Sequence, residues 1–226
     1  MNLTDLANGY GSDKGSKFGG PPHRYTYLYD LLFYEMRSRA VNFLELGLAV
    51  GGPELGGPID RRVTSPSVRM WLDYFPKGHV FGFDVSDFSH MADPRFTFIR
   101  GDMGVAADLE RLAGASIHYD VVIDDASHAS FHQQLALKTL WRRVAPGGLY
   151  IIEDLHWQPE AYENSLPRVP KTAALISSYF ERGEYIESPV LGHAELDAIR
   201  TRTHSFAVFP SFSDQARVKL VVLRLE

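Results

Sequence analysis

Two apolar segments of the chain end in clusters of acidic residues, and this arrangement restricts the fold more than any other feature. The clusters are Asp124, Asp125 and His128 after residues 119–123, and Glu153 and Asp154 after residues 148–152. Short apolar runs bounded by turn signals, such as Pro146-Gly-Gly before the second run, are typical of buried parallel strands. In open α/β sheets, ligands bind beyond the carboxyl ends of the strands. We therefore expect these side chains to meet at one edge of a sheet.

The composition of this edge favours a divalent cation. Carboxylate oxygens are the ligands that Mg²⁺, Mn²⁺ and Ca²⁺ prefer, and a nearby histidine such as His128 can move protons near neutral pH. A buried acidic cluster without a cation would repel itself, and its carboxylates would tend to protonate. A zinc pair formed by His128 and His132, one helical turn apart, is a weaker alternative because carboxylates outnumber imidazoles.

The length and composition fit one large domain, or one domain with a small cap, in a chain of 226 residues of which 45% are hydrophobic. The net charge of −5 argues against a dedicated nucleic-acid binder. No cysteine occurs, which excludes disulfides and thiolate chemistry. No apolar stretch approaches the roughly 18 residues of a membrane span, and the N-terminus has no basic and apolar leader. We expect a cytoplasmic protein that does not enter membranes. The sequence is compatible with a homo-oligomer and does not decide the oligomeric state.

Strand and helix patterns alternate along the chain, which predicts an α/β fold with a doubly wound, mostly parallel sheet. The predicted strands are residues 40–45, 79–84, 96–100, 119–123 and 148–152, with a terminal antiparallel pair at 205–209 and 218–225. Predicted helices begin at Ser65, an N-cap followed by Pro66, and after His128, where Leu137 and Val144 fall on one face. A further helix is expected around 172–182. We interpret residues 1–35 as a helical cap and residues 36–226 as the catalytic domain.

A second group of residues predicts a nucleoside site. The first strand runs into Glu45-Leu-Gly47-Leu-Ala-Val-Gly51, and a glycine-rich turn there lets the backbone approach a nucleoside closely. Asp84, at the end of the second strand, can accept both ribose hydroxyls. Asp102 ends the third strand and could face an adenine amino group. A nucleoside triphosphate is not expected, because the chain lacks a Gly-Lys-Ser/Thr phosphate loop.

The chain resembles the metal-dependent class I S-adenosylmethionine methyltransferases of antibiotic tailoring, which include macrolide sugar O-methyltransferases and cephalosporin-type relatives. The resemblance covers most of residues 8–156. Its motifs are Tyr10-Gly-Ser-Asp-Lys-Gly15, His23-Arg-Tyr-Thr26, Ser67-Val-Arg-Met-Trp71, Val80-Phe-Gly-Phe-Asp84, Gly101-Asp102, Val121-Val-Ile-Asp-Asp-Ala-Ser-His128 and Pro146-Gly-Gly-Leu-Tyr-Ile-Ile-Glu-Asp-Leu155.

The resemblance implies a Rossmann-like class I methyltransferase fold and a set of residue roles. Asp125, Glu153 and Asp154 would hold Mg²⁺ or Mn²⁺, and His128 would be the general base. Asp84 would bind the ribose of S-adenosylmethionine, and Gly47 and Gly51 would line its methionine portion. The remaining cofactor-side residues are Tyr10, Lys14, Glu45, Asp102 and Asp124. Lys14 would lie near the carboxylate of the cofactor and Tyr10 near its adenine. For Asp124, a cap at the end of the strand is an equal alternative.

The implied function is O-methylation of a hydroxyl on a sugar or other vicinal diol during antibiotic biosynthesis, with a glycosylated natural product or a sugar as acceptor. Two departures from the family pattern bear on this prediction. Ala49 replaces the central glycine of the turn, and Met103 stands where family members carry glutamine after Gly-Asp. The alternatives are a dinucleotide-dependent oxidoreductase and a nucleoside-binding homologue without turnover. The insertion 51–65 and the loop 157–170 are where we expect acceptor recognition.

Overall fold

A seven-stranded sheet forms the centre of the protein in a computed structural model that describes residues 1–20, 22–59, 63–114, 116–158, 160–211 and 217–226. The strands are β1 (Asn42–Leu46), β2 (His79–Asp84), β3 (Phe96–Arg100), β4 (Tyr119–Asp124), β5 (Val144–Ile152), β6 (Thr203–Pro210) and β7 (Val218–Leu225). Their order is β3-β2-β1-β4-β5-β7-β6. Strands β1 to β5 are parallel, whereas β7 runs antiparallel to β5 and to β6. The predicted sheet is confirmed.

The chain reverses its winding direction at β1, which pairs with β2 on one side and with β4 on the other. Such a switch point leaves a crevice beyond the carboxyl ends of the strands, because the connections leave in opposite directions. Both predicted clusters follow strands that end at this edge.

Helices cover both faces of the sheet. They are α1 (Leu3–Tyr10), α2 (Tyr25–Leu32), α3 (Pro66–Tyr74), α4 (Ala106–Gly114), α5 (Ser130–Leu140), α6 (Glu160–Glu163), α7 (Thr172–Ser177) and α8 (His193–Arg202). One buried apolar cluster joins α1, α2 and α3 to the sheet, and a second joins the opposite face to α4, α5, α7 and α8. None of the helices among the described residues is long and apolar enough to span a membrane.

Local sequence signals account for several element boundaries. Helix α3 begins as predicted, with the hydroxyl oxygen of Ser65 accepting a hydrogen bond from the Val68 amide and Pro66 in the first turn. The prediction for Val144 was wrong: α5 ends at Leu140, and Val144 begins β5 opposite Tyr119. An apolar residue at a helical spacing can equally begin the next buried strand. The helix expected around 172–182 is α7 followed by a π-helical turn, Ser178–Arg182.

Candidate active site

The glycine-rich turn after β1 lies directly against the backbone that follows β4. Gly47 has a positive φ of 85°. A Cβ at this position would collide with the carbonyl oxygen of Asp125 and lie 2.5 Å from the Cα of Ala126. Glycine is therefore required here both by its backbone conformation and by the close approach. This contact joins the nucleoside half of the predicted site to the acidic half.

Asp84 is fixed at the end of β2 by backbone donors. Its Oδ2 accepts a hydrogen bond from the Leu48 amide at 2.8 Å, and its Oδ1 accepts one from the Ser86 amide at 2.7 Å. These two backbone amides orient the carboxylate. Its side chain lines a cleft of about 720 Å³ at the switch point.

This cleft has the composition expected of a nucleoside site. Of the predicted cofactor residues, Gly47, Gly51, Asp84 and Asp102 line it, together with Met103, His132 and Tyr162. Enclosed concave sites with mostly apolar walls and a few polar groups are the usual form of a small-molecule site. We refer to it below as the nucleoside cleft.

The other predicted cofactor residues lie outside the lining of the nucleoside cleft. The Tyr10 hydroxyl donates to Asp73 at 2.5 Å on the surface. Glu45 is buried on β1, where it accepts a hydrogen bond from Ser67 at 2.8 Å, and burial raises its pKa to about 7. Asp124 is also buried, which raises its pKa to about 7. Their predicted cofactor contacts stay predictions.

The acidic half of the site brings together one ligand atom each from Asp125, His128 and Asp154, all within 4.8 Å of one another. Two of these residues have left-handed backbones, with φ of 58° at His128 and 51° at Asp154. Non-glycine residues in this conformation cost free energy and often occur at functional sites. The turns after β4 and β5 therefore direct these side chains toward each other.

Glu153, the third predicted metal ligand, has a different environment. Its Oε2 accepts a hydrogen bond from Lys14 Nζ at 2.7 Å, and its Oε1 accepts one from the Tyr29 hydroxyl at 2.7 Å. Lys14 is buried and also contacts Asp125, with Glu45 3.8 Å away. Burial lowers the pKa of Lys14, but the surrounding carboxylates outweigh this effect and raise it well above its usual value. The predicted cofactor-side lysine thus neutralises the acidic cluster.

The N-terminal segment supplies further partners that the sequence did not reveal. His23 Nδ1 lies 3.0 Å from Asp154 Oδ2, and the Tyr25 hydroxyl donates to Asp154 Oδ1 at 2.7 Å. Burial alone would raise the pKa of Asp154, but the hydrogen bond from His23 and the neighbouring imidazoles hold it well below its usual range. Asp154 is therefore held as an anion. Two tyrosine hydroxyls of α2, those of Tyr25 and Tyr29, thus bind the acids that follow β5.

A second cleft, of about 1140 Å³, opens above the acidic group. We call it the acceptor cleft; His128, Asp125 and Asp154 lie in its wall with Trp157. The ring of Trp157 contacts the His128 imidazole edge-on at a centroid distance of 5.4 Å, and 45% of Trp157 is exposed. The two clefts share part of their wall at Ala49, Gly51, Glu54 and Ala126.

The donor set fits a hard divalent cation. Asp125 and Asp154 present carboxylate oxygens beside the imidazole of His128, and Glu153 directly precedes Asp154. The imidazoles of His23 and His156 also lie within 3.0 and 3.7 Å of Asp154. His132 does not join this group, because its Nδ1 is hydrogen-bonded to Ser127 at 2.7 Å. Among the described residues, the geometry therefore favours the predicted oxygen site over a zinc pair of His128 and His132.

Comparison with known proteins identifies relatives of the chain. It is 40% identical over 153 residues to 8-demethyl-8-alpha-L-rhamnosyl tetracenomycin-C 2'-O-methyltransferase of Streptomyces olivaceus, covering 68% of this chain and 37% of the relative. It is 38% identical over 157 residues to mycinamicin VI 2''-O-methyltransferase of Micromonospora griseorubida, covering 68% of this chain and 36% of the relative. No known family profile matches the chain. The chain spans little more than a third of the length of these relatives.

A solved structure extends the similarity to the whole fold. MycE methyltransferase from the mycinamycin biosynthetic pathway, in complex with Mg, SAH and mycinamycin VI, superposes with a TM-score of 0.70 at 28% identity. The match covers 100% of this chain and 54% of that chain. The protein therefore has the class I methyltransferase fold, as the order of its strands also indicates. By sequence and structure it belongs to the family of sugar O-methyltransferases that tailor macrolide and tetracenomycin antibiotics.

Proposed function

We propose that the protein is a metal-dependent O-methyltransferase that uses S-adenosylmethionine to methylate a hydroxyl of a sugar or other vicinal diol in antibiotic biosynthesis. The observation that carries this proposal is the shared wall of the two clefts at Ala49, Gly51 and Ala126. A nucleoside-bound methyl donor in one cleft and an acceptor in the other would meet at that wall. Glu54 also lies in this shared wall, and the small side chains of the other three residues leave room for a methyl group to pass.

Methyl transfer from a sulfonium is an in-line displacement, so the acceptor oxygen must be held close to the methyl carbon. Asp84 would hold the ribose of the donor, because both of its oxygens are oriented by backbone amides. Gly47 would let the donor lie close to the turn after β1. These residues position the donor and take no part in proton transfer.

His128 would remove the proton from the acceptor hydroxyl. Its ring lies in the wall of the acceptor cleft, oriented by Trp157, and the nearby carboxylates of Asp125 and Asp154 would stabilise the imidazolium that forms. A positioned base of this kind contributes about 10²–10⁴-fold to a rate. A divalent ion held by Asp125 and Asp154, with Glu153 adjacent, would orient and acidify two vicinal oxygens of the acceptor.

The acceptor cleft has polar and apolar parts that suit a glycosylated natural product. Its base carries the acidic group, and the partly exposed side chains of Phe18 and Trp157 flank it. Aromatic faces of this kind pack against the apolar face of a sugar or an aglycone. Relatives whose names specify rhamnosyl tetracenomycin and mycinamicin as substrates support this acceptor class.

The dinucleotide oxidoreductase fits the chain less well. It would use the glycine-rich turn and Asp84, but it gives no role to Asp125, His128 and Asp154. The family relationship also favours methyl transfer. A nucleoside-binding homologue without turnover is distinguished by the experiment below.

The test measures transfer of labelled methyl groups from S-adenosylmethionine to mycinamicin VI and to a rhamnosylated tetracenomycin. We expect methylation that EDTA abolishes and Mg²⁺ restores. Asp125→Ala should lose turnover while it still binds S-adenosylhomocysteine, whereas Asp87→Ala, at an exposed position outside both clefts, should behave as the wild type. Binding without turnover on either glycoside, with Mg²⁺ present, would contradict the proposed acceptor class.

A further inference from the structure

His132 is a buried histidine of α5 that lines the nucleoside cleft. It is 2% exposed, and its Nδ1 is hydrogen-bonded to the hydroxyl of Ser127 at 2.7 Å. Its Nε2 has no hydrogen-bond partner among the described residues. This nitrogen is not one of the fully shielded side-chain atoms of the described residues, so it opens on the cleft and is available to a ligand atom there.

The Nε2 atom of His132 faces the same point as the carboxylate of Asp102. A Cβ placed on Gly104 would lie 3.0 Å from His132 Nε2 and 3.3 Å from Asp102 Oδ1. Asp102 Oδ1 accepts a hydrogen bond from the Gly104 amide at 2.7 Å, which fixes this carboxylate. One potential donor and one acceptor thus stand side by side in the cleft wall.

The surroundings of this pair suit a flat heterocycle. Met103 is nine-tenths buried in the wall and offers no hydrogen-bond donor from its side chain. Tyr162 of α6 contacts the His132 ring edge-on at a centroid distance of 5.8 Å. An aromatic base would therefore find apolar contact around it and hydrogen-bonding groups along one edge.

His132 is held in its neutral form. Burial lowers its pKa to about 4, although the charge of Asp102 acts in the opposite direction. A neutral imidazole has one N–H donor and one acceptor, and the Ser127 bond decides which nitrogen carries the proton. When the Ser127 hydroxyl donates to Nδ1, Nε2 carries the hydrogen and is a donor.

We propose that His132 recognises the adenine ring of the cofactor, donating from Nε2 to a ring nitrogen while Asp102 accepts from the adjacent amino group. This inference rests on the proposed S-adenosylmethionine site. Met103 stands where family members carry glutamine and cannot make that residue's hydrogen bonds to adenine. The inference assigns this recognition of adenine to His132. Hypoxanthine presents the reverse pattern, with an oxygen in place of the amino group and an N–H at N1, so the pair excludes it.

The test is calorimetric titration with S-adenosylhomocysteine and with S-inosylhomocysteine, whose base is hypoxanthine. The wild type should prefer the adenosyl compound by about 100-fold or more, since a site with polar groups of fixed direction rejects a base that leaves them unpaired. His132→Ala should bind the adenosyl compound about tenfold more weakly, as expected for one lost hydrogen bond, and its preference should fall by a similar factor. His118→Ala, at an exposed position outside the cleft, is the matched control and should be unchanged.

Asp102→Asn provides a reversal that a general loss of folding cannot imitate. Its amide oxygen can keep the bond from the Gly104 amide, so its NH₂ would face the base and favour the oxygen of hypoxanthine. The preference for the adenosyl compound should fall or reverse. His132→Gln replaces His132→Ala if the latter does not fold, and should retain part of the preference.

The outcomes separate this inference from the proposed function. One outcome is that His132→Ala, or His132→Gln where that variant is used, still binds S-adenosylhomocysteine with the preference of the wild type. That result overturns the role of His132 and leaves the proposed methyltransferase function intact. Failure of the wild type to bind S-adenosylhomocysteine contradicts the proposed function itself.

Discussion

His128 combines an unfavourable backbone conformation with a position beside two carboxylates, and this combination supports its role as the base. We expect His128→Ala to lower the rate of methyl transfer by about 10²–10⁴-fold. The affinity for S-adenosylhomocysteine should stay within about twofold of the wild type, because His128 lies in the acceptor cleft and Asp84 in the other. Steady-state kinetics and calorimetry measure the two quantities.

The control for this variant is His204→Ala on the exposed edge strand, which should leave both quantities unchanged. Loss of cofactor binding in His128→Ala would contradict a role confined to proton removal. Unchanged turnover would remove His128 from the mechanism.

Lys14 is the second residue whose role can be separated by substitution. Lys14→Met removes the cation that pairs with Glu153 and Asp125. The buried Glu153 keeps its hydrogen bond from Tyr29 but loses its positively charged partner. Breaking a buried pair in this way costs about 3–5 kcal/mol. Urea unfolding in EDTA should show a loss of this size, and Mg²⁺ should recover part of it by replacing the missing positive charge.

Lys138→Met, at an exposed position of α5, is the matched control and should change the free energy of unfolding by less than about 0.5 kcal/mol. Equal stability of Lys14→Met and the wild type in EDTA would show that the acids do not need this lysine.

The site residues that could be predicted from sequence are those that end strands. Asp84, Asp125 and Asp154 follow apolar runs, and parallel strands end at a common edge. The contacts of Lys14 with Asp125 and Glu153 join residues 111 and 139 positions apart in the sequence. No local pattern records such a contact. The motif containing Lys14 led to a prediction on the cofactor side, whereas its contacts in the structure are with the acidic half.

Among the elements, the turn after β1 makes the most specific demand on its sequence. Gly47→Ala would place a methyl group against the backbone of Asp125 and Ala126 and force alanine into a left-handed conformation. The clash must move one of the two turns, so we expect both lower stability, by more than about 2 kcal/mol, and weaker binding of S-adenosylhomocysteine. Thermal unfolding and calorimetry measure these changes.

Gly147→Ala is a matched control for this turn. Gly147 has a similar φ of 79°, and no atom lies within 4 Å of its hypothetical Cβ. It should show only the cost of the backbone conformation, about 1 kcal/mol, and normal cofactor binding. If the two variants were equally stable, the close approach at Gly47 would not constrain the site.

The element boundaries show where pattern reasoning succeeds and where it does not. β2, β3 and β7 have the predicted bounds, because turn residues flank their apolar runs. Helices α4 and α8 were not predicted; α4 buries only Leu109 and Leu112, and α8 only Leu196 and Ile199. Two apolar positions in a polar segment give a weak periodic signal. Both helices form because the sheet provides a surface for those pairs.

For the whole molecule, the neutral state of His132 predicts sensitivity to acid. Its pKa falls from 6.5 to about 4 on folding, so the unfolded chain binds a proton more readily between these values. The resulting stability is fully present above pH 6.5 and is lost as the pH falls toward 4, by up to about 3 kcal/mol. The wild type should therefore lose stability more steeply than His132→Asn over this range. Urea unfolding at a series of pH values measures this difference. If the free energy of unfolding fell equally with pH in the wild type and in His132→Asn, His132 would not be the source of the acid sensitivity.

The arrangement of the whole chain also explains why residues 1–35 matter to the site. Lys14, His23, Tyr25 and Tyr29 all reach the acids that follow β4 and β5. The prediction that these residues form a cap stays a prediction, but their side chains fix the acidic half. This assembly depends on the tertiary fold, because the segments are more than a hundred residues apart in the sequence.

We expect the nucleoside and the metal to occupy adjoining but separate halves of one site. Calorimetric titration with S-adenosylhomocysteine, first with Mg²⁺ and then with EDTA, tests it most directly. We predict micromolar binding of similar strength in both conditions, because Gly47 and Asp84 face one cleft and the acidic group faces the other. Binding that requires Mg²⁺ would contradict the separation of the two halves, and no binding in either condition would contradict the methyltransferase itself.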